Sequence, residues 1–218
     1  MGDFLRVLTD NRSLFVDGFL TTVKLFAIAG ASCLLWGTLL AAMRVSPIPA
    51  LRVFGGVYVQ LVRNTPLTLL FAFMVFGVPK LEINISFFRS ACIALLVYTS
   101  AFVCEVVRSG INTVDQGQGE AARAIGMTFI QVLALIVLPQ AFRAIVPPLV
   151  SVLNALLKNT TVAAGFSVLE AGAIPAYLSE RGEKQTPTLI WITIGFLVLV
   201  SPLVSTQRVL ERRWRGSR

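Results

Sequence analysis

Long stretches without a charged side chain constrain this chain most. No Asp, Glu, Lys or Arg occurs between Lys24 and Arg44 or between Lys184 and Arg208, and shorter uncharged runs cover 64–79, 90–104, 124–142 and 144–157. A membrane-crossing helix needs about 20 mostly apolar residues, so the first and last runs suffice alone, and the others must accept a charge near one end. Only 14% of residues are charged, against about a quarter in soluble domains, and the mean hydropathy is +0.78. Lipid is therefore the solvent, and the reading is an all-α integral membrane protein. One domain over 1–218 is expected, with spans at about 15–43, 54–77, 87–109, 140–162 and 187–209. Residues 127–138 are too short to cross, and Pro139 sets them apart, so they read as an interfacial helix closing a loop of about 110–139.

The net charge of +8 does not mark a nucleic-acid binder, because the basic residues are not gathered on a soluble domain. Arg44 and Arg52 follow the first span, Arg108 and Arg123 flank the central loop, and Arg208, Arg212, Arg213, Arg215 and Arg218 close the chain. By the positive-inside rule these segments are cytoplasmic, which puts the N-terminus outside and the C-terminus inside, as an odd number of spans requires. The opposite segments are balanced: Asp3, Asp10 and Asp17 oppose Arg6 and Arg12, and Glu180 and Glu183 oppose Arg181 and Lys184. No cleavable signal is evident, so the first span is expected to serve as the insertion signal.

Several chemistries find no residues. The chain has no histidine, which excludes Ser/His/Asp and Cys/His triads. Cys33, Cys92 and Cys104 lie in expected spans without CxxC spacing, and read as apolar packing rather than metal ligands. Glu105, Glu120 and Glu170 stand alone in sequence, so no paired-carboxylate hydrolytic site and no catalytic residue is expected. No G-x-x-x-x-G-K-[ST] loop occurs; if ATP is used, another chain binds it.

The central loop contains GQGEAARAIGM at 117–127. Glu120, Ala121 and Ala122 begin a run of helix formers that Gly126 can stop, with Glu120 near the positive end of the helix. Such a segment is either a solvated helical turn or a small-residue helix suited to a partner's groove. The wider stretch decides between them, since Glu120, Ala121, Ala122, Gly126, Leu138 and Pro139 resemble the EAA loop of bacterial ABC importer permeases of the polar amino acid family. The blocks GFLTTVKL, RNTPLTLL, LPQAFRAIVPPL and LKNTT are similar to the same family in the same order, over most of residues 18–170. MRVSPIPALR and YTSAFVCEVVRSGINTV further resemble the actinobacterial glutamate-uptake permeases.

The resemblance implies the type I (MetI-like) ABC importer permease fold in the bacterial plasma membrane. It also implies a second permease subunit, two copies of a cytoplasmic ATPase carrying ATP and Mg, and an extracellular or lipid-anchored amino acid binding protein. Glu120 to Gly126 would form the coupling helix seated on the ATPase, and glutamate is the expected cargo. No cofactor is expected in this chain.

Polar groups at membrane depth are the default candidates for a pathway. Arg63 and Asn64 precede Pro66, which breaks the helix and frees backbone groups; Arg63 either meets a substrate carboxylate or anchors the cytoplasmic end against Glu105. The family resemblance places ligand contacts near Lys158, Asn159 and Thr160. Asn154 and Lys158 share a face at i and i+4, with Ser151 nearby; the alternative for Lys158 is snorkelling to the outer surface. Thr99 and Ser100 either contact ligand or bond back to the preceding turn. Glu105 and Arg108 are spaced for an ion pair.

Two rival functions remain. An ion-gradient-driven secondary transporter is expected to show internal repeats, and none is visible in this short chain. A non-transporting scaffold has no need of Asn, Thr and Lys within its spans.

Overall fold

The computed structural model describes residues 2–215; Arg218, counted above in the basic tail, lies outside the described residues, as do the side chains of Asp3 and Arg215. A short amphipathic helix α1 (Gly2–Asp10) leads into α2 (Arg12–Val45), followed by α3 (Pro49–Arg63), α4 (Leu67–Ala72) and α5 (Phe87–Ile111). Then come α6 (Gln116–Ala124), α7 (Phe129–Val132), α8 (Leu138–Asn159), α9 (Ile174–Glu180) and α10 (Gln185–Arg215). Among the described residues, four helical stretches are long and apolar enough to cross a membrane, and α3 with the α4 segment makes a fifth if the bent pair counts as one.

The centre is α5. Half of its apolar window is buried within the chain, against 11% for Phe129–Phe166 and for Gln185–Trp214, so the latter two present their sides outward. Small residues bring α2 against α5: a Cβ at Gly37 would stand 2.5 Å from Val103 Cβ and 2.8 Å from the Ser100 carbonyl oxygen. The main core gathers Leu25, Cys33 and Leu40 from α2 with Leu95, Val103 and Cys104 from α5, and Phe71 and Leu156 complete it. A smaller core of Val7, Phe15, Ile174, Leu178 and Ile192 ties α1, α2, α9 and α10 together at the other end. There Trp191 stacks on Phe4 with ring centroids 4.6 Å apart, and its indole N–H donates to the Phe4 carbonyl over 2.7 Å.

Two stretches differ from a series of simple rods. The second span is not one helix over 54–77, because α3 ends at Arg63 and the chain turns by 101° before Leu67. Pro66 supplies no N–H to the preceding turn and starts the new helix in extended conformation, with φ −59° and ψ 137°. Conversely, the expected interfacial helix of 127–138 is not a separate element. Phe129–Phe166 runs on as one helical stretch, because a π-helical turn at Leu133–Val137 widens the helix just before Pro139. That turn shifts the bonding pattern where the proline lacks its N–H, so the helix passes through rather than stopping.

Candidate functional site

The loop after α5 is a well-capped short helix. Asp115 caps α6, its carboxylate accepting the Gly117 N–H over 2.8 Å. At the other end Met127 N–H donates to the Ala122 carbonyl over 3.1 Å and Gly126 N–H to the Arg123 carbonyl over 3.0 Å. Gly126 stands at φ +89°, the left-handed conformation that this double closure needs and that glycine adopts without strain. Thr128 then caps α7 in a reciprocal pair with Gln131, which fixes the corner between the two helices.

The faces of α6 divide sharply. Ala122 is buried, whereas Glu120 and Ala121 are exposed. Ile125 is 80% exposed, Phe129 and Ile130 are exposed beside it, and Arg123 lies over the Phe129 ring at 5.8 Å. A shallow cleft of about 250 Å³ lined by Gln116, Gly119, Glu120, Arg123 and Phe129 adjoins them. The sequence reading missed Ile125, whose signal is an apolar residue followed at once by the glycine that ends the helix. Gln140 ties α8 to α6 by donating to Gln118 over 2.6 Å, so α6 sits on the bundle rather than hanging from it.

At the same end of the bundle, Glu105 of α5 gathers charge. It bonds to Arg44 of α2, lies 3.9 Å from Arg63 Nη1 and lies 3.6 Å from Arg108 Nη2. The expected pairs with Arg63 and Arg108 are both present, and the bond to Arg44 was not foreseen, because those residues stand 61 positions apart. Arg63 also lies over the Phe102 ring at 5.6 Å. These groups border a cleft of about 540 Å³ lined by Arg44, Gly56, Gln60, Arg63, Asn64 and Glu105, among others.

The remaining polar candidates scatter. Ser100 is fully buried and its hydroxyl pairs with the Tyr58 hydroxyl over 2.9 Å and with the Val97 carbonyl over 3.0 Å, so it joins α5 to α3. Thr99 is buried with its hydroxyl unpartnered. On α8, Ser151 and Lys158 are exposed, Asn159 is half-buried, and the Asn154 side-chain oxygen is buried without a partner. Thr160 is fully buried and donates to the Leu157 carbonyl over 2.8 Å. None of these seven residues lines the cleft that holds Arg63 and Asn64.

Glu170 received no role in the sequence reading beyond standing alone, yet it is fully buried. Thr22 donates to its Oε2 over 2.9 Å and accepts the Ala171 N–H over 3.1 Å, while Oε1 has no partner of good geometry. Burial pushes its carboxyl up to about 7, offset in part by Thr22 and by the backbone N–H groups of Gly172 and Ala173.

With this geometry in place, similarity identifies the chain. Residues 34–216 match the family described as binding-protein-dependent transport system inner membrane component. The chain belongs to that family. It is thus a multi-pass inner-membrane component of a transport system. A probable glutamine ABC transporter permease protein, GlnM, of Bacillus subtilis is 34% identical over 97% of this chain and 98% of its own length. The glutamate transport system permease protein GluC of Corynebacterium efficiens is 39% identical over 86% and 88%. A solved structure described as an amino acid ABC transporter with histidines superposes with a TM-score of 0.89 at 28% identity, covering 97% of this chain and 98% of that one.

Proposed function

We propose that this chain is the permease subunit of an ATP-driven amino acid importer, with glutamate as its cargo. It works beside a second, homologous permease subunit, two copies of a cytoplasmic ATPase that carry ATP and Mg, and an external amino acid binding protein. The observation that carries this reading is α6, a rigidly capped helix that buries Ala122 and offers Glu120, Ala121 and Ile125 outward. The arrangement suits a helix that transmits force. Its caps prevent unwinding, its small residues allow close approach, and Gln118 and Gln140 link it to α8. ATP-driven closure of the partner would then move α5 and α8, shifting the population between outward- and inward-facing states.

Arg44, Arg63 and Arg108, gathered around Glu105, share one end of the bundle with α6. That end is assigned to the cytoplasm by the positive-inside rule, with the N-terminus outside. Substrate contacts are assigned to two regions. Lys158, Asn159, Thr160, Asn154 and Ser151 belong to the second half of the Phe129–Phe166 stretch, with Thr99 and Ser100 at the middle of α5; Arg63 and Asn64 lie at the broken span.

Reconstitution tests the reading. The assembled complex in proteoliposomes, supplied with binding protein, should accumulate labelled glutamate only with ATP inside the ATPase-bearing compartment. Uptake that continues after ATP depletion with the membrane potential held would show an ion-driven carrier instead.

A further inference from the structure

Three arginines converge on one carboxylate where α3 ends. Arg44 and Arg63 face the cleft together with Glu105, and Arg108 stands behind on the same helix turn. Three cations against one anion leave an excess of two positive charges, and Arg108 Nε is buried without a hydrogen-bond partner. One carboxylate neutralises only one guanidinium, and Arg44 and Arg63 both line the cleft beside Glu105, so positive charge is left over to meet an anion that enters it.

The cleft has room and polar walls for such a ligand. Its volume of about 540 Å³ lies in the range of small-molecule sites. A Cβ at Gly56 would meet nothing within 4 Å, and Gln60 and Asn64 contribute amide donors and acceptors. It forms at the 101° break, where the helix ends at Asn64 and backbone groups are released, the kind of discontinuity around which transport sites are built.

We infer that this cleft binds acidic amino acids. Arg44 and Arg63 offer planar forks to the two carboxylates, and Glu105 faces the ammonium group. Two cations and one anion in the wall complement the two carboxylates and one ammonium of glutamate or aspartate. Glutamine, with a single carboxylate, leaves one guanidinium without a new partner. The inference rests on the reading of this chain as an amino acid permease and names its cargo class; at the end shared with α6, the cleft would hold cargo on its way to the cytoplasm.

Protection from labelling tests it. In the detergent-purified complex without nucleotide, an Asn64→Cys variant is treated with a maleimide, and modification is read at position 64 by mass spectrometry. L-glutamate and L-aspartate should slow labelling by about threefold once present at about twice their dissociation constant, and L-glutamine far less. Adding Arg63→Gln should abolish the protection, and adding Gln60→Phe, which fills the cleft without touching an ion pair, should do the same.

Equal protection by glutamine, or none by glutamate, overturns the site. Protection by inorganic phosphate or phosphatidylglycerol vesicles but not by glutamate also overturns it, in favour of a headgroup site. Labelled glutamate uptake by the complex with Asn64 intact is measured in parallel, because Asn64 is itself assigned to the substrate contacts. Uptake without protection removes the cleft and leaves the transport reading standing, while protection without uptake supports the cleft and counts against glutamate as transported cargo.

Discussion

Thr22 on α2 holds the carboxylate of Glu170, 148 residues away, through a 2.9 Å hydrogen bond in a fully buried setting. The same hydroxyl oxygen accepts the Ala171 N–H, so one threonine anchors the turn that leads from α8 into α9. Burying a carboxyl that completely favours its neutral form, which is why it titrates near 7 rather than at 4.5.

A pH dependence follows from that shift. Between pH 4.5 and about 7 the folded chain holds a proton on Glu170 that the unfolded chain has released. Stability therefore falls as pH rises through this window and levels off above it. At about 1.4 kcal/mol per tenfold change in proton affinity, the full effect across the window is about 3–4 kcal/mol. Thermal unfolding of the detergent-solubilised protein should move to lower temperature between pH 5 and pH 8, and Glu170→Gln should flatten the trend. A wild-type midpoint that rises over this range would contradict the assignment.

Gly126 is predicted to matter through its backbone alone. Open space surrounds it, so a side chain meets no clash, but a β-branched residue at φ +89° costs about 1–2 kcal/mol. Gly126→Val should insert and fold normally while loosening the end of α6, reducing glutamate uptake more than ATP hydrolysis. Parallel assays of both in proteoliposomes check this, and unchanged uptake would remove α6 from the coupling role.

Close packing makes Gly37 a different case. Adding a β-branched side chain between α2 and α5 forces the helices apart at the Val103 contact, costing about 1–3 kcal/mol or more. Gly37→Val should lower the yield of monodisperse protein and its melting temperature. Gly165→Ala, which has nothing within 4 Å of the new carbon, should leave both nearly unchanged.

Orientation is open to a direct test. Ile125→Cys should react with an impermeant maleimide in inside-out vesicles and not in intact cells, while Glu183→Cys, in the turn between α9 and α10, should show the reverse. The opposite pattern would invert the topology.

Much of the architecture was legible from local chemistry. The apolar runs marked α2, α5 and α10, Pro66 marked the break after α3, and Gly126 marked the end of α6, because each depends on a residue's own backbone or solvation preference. Pro139 misled for the same reason. A proline ordinarily interrupts a helix, and only the π-helical turn just before it lets the stretch continue. Arg63 and Arg108 were legible partners of Glu105, one beside the break and one a turn away, whereas Arg44 was not.

What the amino-acid order determined by itself was the solvent, the number of hydrophobic runs and the capped helix between two of them. These follow from hydropathy and short-range backbone rules acting over a few residues. Only tertiary structure decided that Arg44 and Glu105 share a cleft, that Thr22 receives Glu170, and that Ser100 serves Tyr58. Such pairings depend on which faces of α2, α3 and α5 meet, and that is settled by close packing at residues such as Gly37 rather than by any local pattern.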